Sequence, residues 1–201
     1  MVDSDATREK LEELMQYETV NLAILCGHGN ATTFTGFEQK IVLQTGLNEE
    51  VMKGTISHFL SCSVGQQLLP ALIEHGAIST IGYQVDFQFM IDEKYPVSED
   101  PYAEPFKDVT ITIIRSILEG KPLKVVWEDG VAKSDEWIAK LWEREGTDWA
   151  EVISCLQHNR DGMIALGDKE AYFSPPKAFV TSDLTTLLPL AVGVGLAWIL
   201  L

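Results

Sequence analysis

At 201 residues the chain is long enough to bury a sizeable core, and one domain with an appendage is the natural expectation. Its net charge of -15 repels phosphate and no Lys/Arg cluster offsets this locally, which argues against a nucleic-acid partner. The three cysteines, Cys26, Cys62 and Cys155, form neither a paired framework nor a metal-ligand spacing, so a reducing compartment is expected and no metal or cofactor is.

Residues 1–5 are polar and acidic, so no signal peptide is expected. Residues 4–17 read as an amphipathic packing helix with Ala6, Leu11, Leu14 and Met15 on one side. A strand over 19–26 carries the apolar run Leu22-Ala23-Ile24-Leu25 and delivers Cys26-Gly27-His28-Gly29-Asn30. Residues 31–55 read as a polar loop, an apolar run Ile41-Val42-Leu43 and a short helix over 48–53, with Asn48 as N-cap and Gly54 just past the end.

A second strand, Ile56-Ser57-His58-Phe59-Leu60, delivers Ser61-Cys62-Ser63-Val64-Gly65. Val64, Leu68, Leu69, Leu72 and Ile73 then share one helical face, with Pro70 requiring a later start or a kink. Residues 76–83 read as a third buried strand, which predicts a right-handed parallel crossover. Val109, Ile113, Ile114, Ile117 and Leu118 mark a helix over 106–118, stopped by Gly120 and Pro122. Trp127, Trp137, Trp142 and Trp149 read as packing residues, with Ser134 capping a helix that holds Trp137 and Trp142. His75 and His158 border predicted turns.

Short, nearly continuous apolar runs bounded by glycine suit strands buried on both faces of a parallel sheet. In open α/β sheets chemistry collects outside the carboxyl ends of such strands, so neighbouring strands would set His28 and Cys62 across one crevice. A cysteine nucleophile needs a partner that favours the thiolate or protonates the leaving group, and histidine does either. Gly29 lets substrate approach its backbone N–H, a second oxyanion donor beside that of Cys62. His58 shares strand parity with Cys62 but reads first as a hydrogen-bonded core histidine. Cys26 reads as a small buried hydrophobe. Gly27-His28-Gly29 is not a dinucleotide fingerprint, because Thr32 stands where the third glycine belongs.

The order, His-Gly first and Cys later with each after a strand, resembles the caspase/gingipain superfamily of cysteine peptidases. Gingipain-like domains are closest, since Gly76-Ala77 and Ile81-Gly82 look like their strand after the nucleophile helix. Leu166-Gly167-Asp168 matches their terminal segment in all but the proline, position 169 being lysine. The similarity covers roughly residues 20–173. It implies a three-layer αβα domain with a mainly parallel sheet over 1–173, and an endopeptidase acting on peptides or proteins through His28 and Cys62. It also implies that Tyr83, Gln84 and Asp86, in the loop after the third strand, wall the primary specificity pocket. A carboxylate there favours Lys or Arg on the acyl side of the cut. Family members carry strands before the histidine strand, so a homo-oligomer completing the sheet is one expectation. A non-enzymatic interaction module and a hydrolase of small amides or thioesters are the competing ones.

Residues 174–183 read as a linker, and the uncharged run 184–201 as a hydrophobic helix near the lower length for spanning a bilayer. Pro189, Gly193 and Gly195 are tolerated in membrane helices. The expectation is a single-pass C-terminal anchor with residues 1–176 on the cytosolic side; a buried core helix or a cleaved lipid-attachment signal are the alternatives.

Overall fold

Near-continuous apolar strands can only be buried on both faces, and the computed structural model has that arrangement. It describes residues 6–16, 20–96, 98–144, 149–174 and 198–200. In chain order the elements are α1 (Arg8–Met15), β1 (Leu22–Cys26), β2 (His28–Gly29), β3 (Thr33–Thr35), β4 (Ile41–Gln44), β5 (Ile56–Leu60), α2 (Leu68–Glu74), β6 (Ser79–Tyr83), α3 (Glu104–Leu118), α4 (Leu123–Trp142), α5 (Trp149–Gly162), β7 (Met163–Gly167) and β8 (Trp198–Leu200). The main sheet has the order β7-β6-β5-β1-β8, with β1, β5 and β6 parallel and the two outer strands antiparallel. The protein is therefore α/β with a mostly parallel sheet. A small antiparallel meander, β2-β3-β4, branches off after β1.

Side chains alternate across each strand, and here the alternation separates two cores. Leu22, Ile24, Ile56 and Ile81 pack with α3, α4 and α5, while Ala23, Leu25 and Phe59 pack with α1, α2 and the meander. Each fully buried Leu or Phe in these layers contributes about 1.5–3 kcal/mol. Because the two faces of β5 are buried in different cores, a one-residue slip would move His58 and Ser57 to opposite cores, and the register is firmly set.

Several expectations are corrected. The first helix starts at Arg8, where the Thr7 side chain accepts from Lys10 N–H as an N-cap. The expected polar loop from residue 31 contains β3, which pairs with β2 just before it; strands of three and two residues are too short to leave a pattern. Asn48 does not cap: its amide bonds Val42 O and Gln44 N–H, and only a 3-10 turn, Glu49–Met52, follows. Gly54, at φ 77, does take the left-handed role expected of it. Pro70 is the third residue of α2, inside the first turn, so no kink is needed. Ser134 is interior to α4 and donates to Gly130 O, and Trp142 at the end of that helix is exposed. His158 lies within α5, not at a turn.

At the carboxyl terminus, Trp198–Leu200 form strand β8 along β1, where a helix was expected. The rest of the expected linker and tail, 175–197 and 201, falls outside the described residues. Among the described residues no helix is long and apolar enough to cross a membrane.

Candidate active site

Strands β1 and β5 run side by side with a constant offset, Leu22 opposite Ile56 through Cys26 opposite Leu60. The Gly27 N–H donates to Leu60 O at 3.2 Å, extending the contact one step beyond the ladder. Both loops therefore leave the carboxyl ends of neighbouring central strands, His28 two residues past Cys26 and Cys62 two residues past Leu60.

Beyond that point β2 turns into the meander, and its glycine touches the cysteine loop. A β-carbon on residue 29 would overlap Ser61 Oγ and stand 3.0 Å from Cys62 O and 2.8 Å from Val64 Cγ1. Only glycine fits this approach without displacing the loop. The Asn30 N–H donates to Thr33 O, making that pair hydrogen-bonded; since bonded and non-bonded pairs alternate in an antiparallel ladder, the Gly29–Phe34 pair is non-bonded and Gly29 N–H faces away from β3. Among the described residues no backbone carbonyl engages Cys62 N–H. Neither the Gly29 N–H nor the Cys62 N–H is thereby used within its own ladder, and Gly29 packs against the cysteine loop.

Cys62 sits where strand β5 gives way to a 3-10 turn, Val64–Gln66, and the residue between them is strained. Ser63 has φ 55, a left-handed conformation that costs a non-glycine residue about 1 kcal/mol or more. It is held there by Ser63 N–H donating to Val85 O at 2.8 Å and by Ser63 Oγ donating to Asp86 Oδ1 at 2.6 Å. The result is an abrupt strand-to-helix corner that lifts the half-buried thiol to the sheet's edge.

The thiol itself lies 3.9 Å from Phe87 O. Burial pushes its pKa up, hydrogen bonding with the Phe87 backbone offsets part of that, and the Asp86 carboxylate adds to the rise. The resting side chain is a neutral thiol, so a reaction here needs a base acting with substrate in place rather than a preformed ion pair. The His28 ring is exposed, and among the described residues no hydrogen bond joins it to Cys62. Cys26, expected to be buried, is only partly so at the end of β1, and burial pushes its thiol up to about 11.

Of the three expected pocket residues, Gln84 and Asp86 are exposed and lie beside Cys62's loop, Gln84 O accepting from Gln66 Nε2 at 2.9 Å. Tyr83 is corrected: it is 1% exposed, edge-on to Phe87 at 4.9 Å, and supports the loop from within the core instead of lining the crevice. His58 is also corrected. It is wholly buried, but among the described residues neither ring nitrogen has a hydrogen-bond partner, and burial lowers its pKa to about 4.

Ser63, His158 and Asn159 reach this site without having been singled out for it. Each acts on backbone of the loop after β6, a kind of contact that leaves no spacing in the sequence. Among the described residues no cluster of His, Cys, Asp or Glu could hold a metal ion. Compared with family models, curated proteins and solved structures, the chain gives no match.

Proposed function

We propose that the chain is a cysteine-type endopeptidase of caspase/gingipain-like, three-layer αβα build, cleaving peptides or proteins through Cys62 and His28. The observation that supports this most is the parallel β1–β5 pairing that releases the His28 and Cys62 loops at neighbouring strand ends, with residue 29 packed against the cysteine loop. In the reaction His28 accepts the thiol proton as Sγ attacks the scissile carbonyl, and the Gly29 and Cys62 N–H groups bind the oxyanion. His28 then gives its proton to the departing amine as the C–N bond breaks, and water, deprotonated by His28, hydrolyses the thioester and restores the thiol. Asp86 is the wall that would select Lys or Arg at the acyl side.

A catalytically inactive module of the same build is the second reading, favoured by one observation: the thiol is raised in pKa and contacts Phe87 O instead of His28. Exposing the full chain to a library of peptidyl electrophiles under reducing conditions, with the labelled residue located by mass spectrometry, separates them. Labelling confined to Cys62 supports the peptidase, and a chain that takes up no label and cleaves no peptide supports the module.

A further inference from the structure

The segment after β6 runs between two surfaces and reaches them alternately. Val85 O accepts from Ser63 N–H at 2.8 Å and Phe87 O lies 3.9 Å from Cys62 Sγ, both toward the cysteine loop. Asp86 O bonds His158 Nε2 at 3.0 Å and Gln88 O accepts from Asn159 Nδ2 at 2.6 Å, both toward α5. That is the period-2 carbonyl alternation of an extended strand, with the cysteine loop on one side and a helix on the other.

Among these tethers Asn159 is unusual. Its side-chain amide also accepts from Gln88 N–H at 2.9 Å, so one residue satisfies both backbone groups of Gln88 as a neighbouring strand would. Asn159 is 5% exposed, and a buried amide whose bonds are both made fixes its partner more tightly than a surface contact does. The helix is kept close by Gly162, whose missing β-carbon would stand 2.9 Å from Val85 Cγ1, and by Gln84 N–H donating to Gly162 O at 2.9 Å.

We propose that Asn159 is a positioning residue for Cys62: by clamping Gln88 it fixes the Phe87 carbonyl over the thiol and holds Asp86 at the edge of the substrate crevice. The inference rests on the reading of Cys62 as the reacting group, and it predicts two opposite changes when the clamp is released. The thiol, freed of the Phe87 carbonyl, becomes more accessible to a small reagent. The loop, no longer held, binds peptide less well.

The test compares wild type with Asn159→Leu, which removes both bonds without adding charge, and with Gln88→Pro, which removes the N–H from the exposed loop side and leaves α5 intact. Two rates are measured on the full chain: Cys62 alkylation by iodoacetamide, and inactivation by a peptidyl acyloxymethyl ketone bearing lysine at the acyl side. Alkylation is followed as a function of pH, because losing the Phe87 backbone contact also removes what offsets the rise in the thiol's pKa. The plateau rate at high pH, where the thiolate no longer faces the Phe87 carbonyl, is expected to rise about three- to tenfold, the scale of one released hydrogen bond. Peptide inactivation is expected to fall about tenfold or more, chiefly through weaker binding and not a slower bond-forming step. Unchanged alkylation in both variants overturns the proposal, as does a parallel fall of both rates together with the melting temperature, which would mark a merely structural residue. If wild type ignores the peptide reagent, the peptidase reading fails, and the iodoacetamide rates alone still decide whether Asn159 governs Cys62.

Discussion

Ser63 Oγ donates to Asp86 Oδ1 at 2.6 Å, tying the residue after Cys62 to the carboxylate proposed to choose the substrate. One oxygen of Asp86 is thereby engaged, and the exposed carboxylate also bears on the thiol, raising its pKa. Asp86→Asn removes that charge, so the pH profile of Cys62 alkylation is expected to move to lower pH. The preference for Lys or Arg at the acyl side is expected to be lost with it. An alkylation profile unmoved by the substitution, or a wild-type preference for acidic or apolar residues in cleavage profiling, removes Asp86 from the site.

Gly29 gives a second test. With no room for a β-carbon against Ser61 Oγ, Val64 and Cys62 O, Gly29→Ala is expected to destabilise the fold by about 1–3 kcal/mol, the usual cost of overpacking. Ser61 Oγ is buried without a hydrogen-bond partner among the described residues, so Ser61→Ala alone should be close to neutral or stabilising. Combined, the two substitutions are expected to cost less than Gly29→Ala by itself, a coupling that thermal denaturation of the four proteins measures. Strict additivity would mean the two residues do not press on one another.

His58 sets part of the acid stability. Its folded pKa of about 4 lies below the ordinary 6.5, so as pH falls the unfolded chain binds the proton first and stability is lost. Above pH 6.5 there is no such penalty; between 6.5 and about 4 it grows to about 3 kcal/mol, and below that it levels off. His58→Leu is expected to match or exceed wild-type stability at pH 7, because two unpartnered buried nitrogens are removed, and to denature less readily across that window. Urea titrations at pH 7 and pH 4.5 check this, and equal acid losses in both proteins would refute it.

The tail is tested by carbonate extraction of cells expressing the full chain. The anchor proposal predicts that the protein stays with the membranes, held by the uncharged run 184–201. Recovery of the full chain in the soluble fraction would rule it out and agree with Trp198–Leu200 pairing on β1 instead.

How much of this was legible depended on whether a residue acts through its own pattern or through a distant backbone. Strands β1, β5 and β6 were readable as short runs of mainly apolar and β-branched residues near glycines, and helix α3 because Val109, Ile113, Ile114, Ile117 and Leu118 recur on one face. Helix α5 was not: its inward face includes Asn159 and Gly162, one there for a backbone clamp and the other for close approach, and neither registers as apolar periodicity. Likewise His28 and Cys62 announced themselves by following strands, whereas Ser63, His158 and Asn159 contribute hydrogen bonds to residues far along the chain. His58 looked like a satisfied core histidine because buried polar groups usually are, and this one is not.

The central claim is that Cys62 is the nucleophile and His28 its proton partner. It is tested most directly by assaying peptidase turnover and covalent labelling of purified wild type, Cys62→Ala, His28→Ala and Cys26→Ser under reducing conditions. Cys62→Ala is expected to lose both, since no other group can form the acyl-enzyme. His28→Ala should lose turnover while Cys62 still alkylates slowly, and Cys26→Ser should leave turnover largely intact. Wild-type turnover retained by Cys62→Ala would contradict the account.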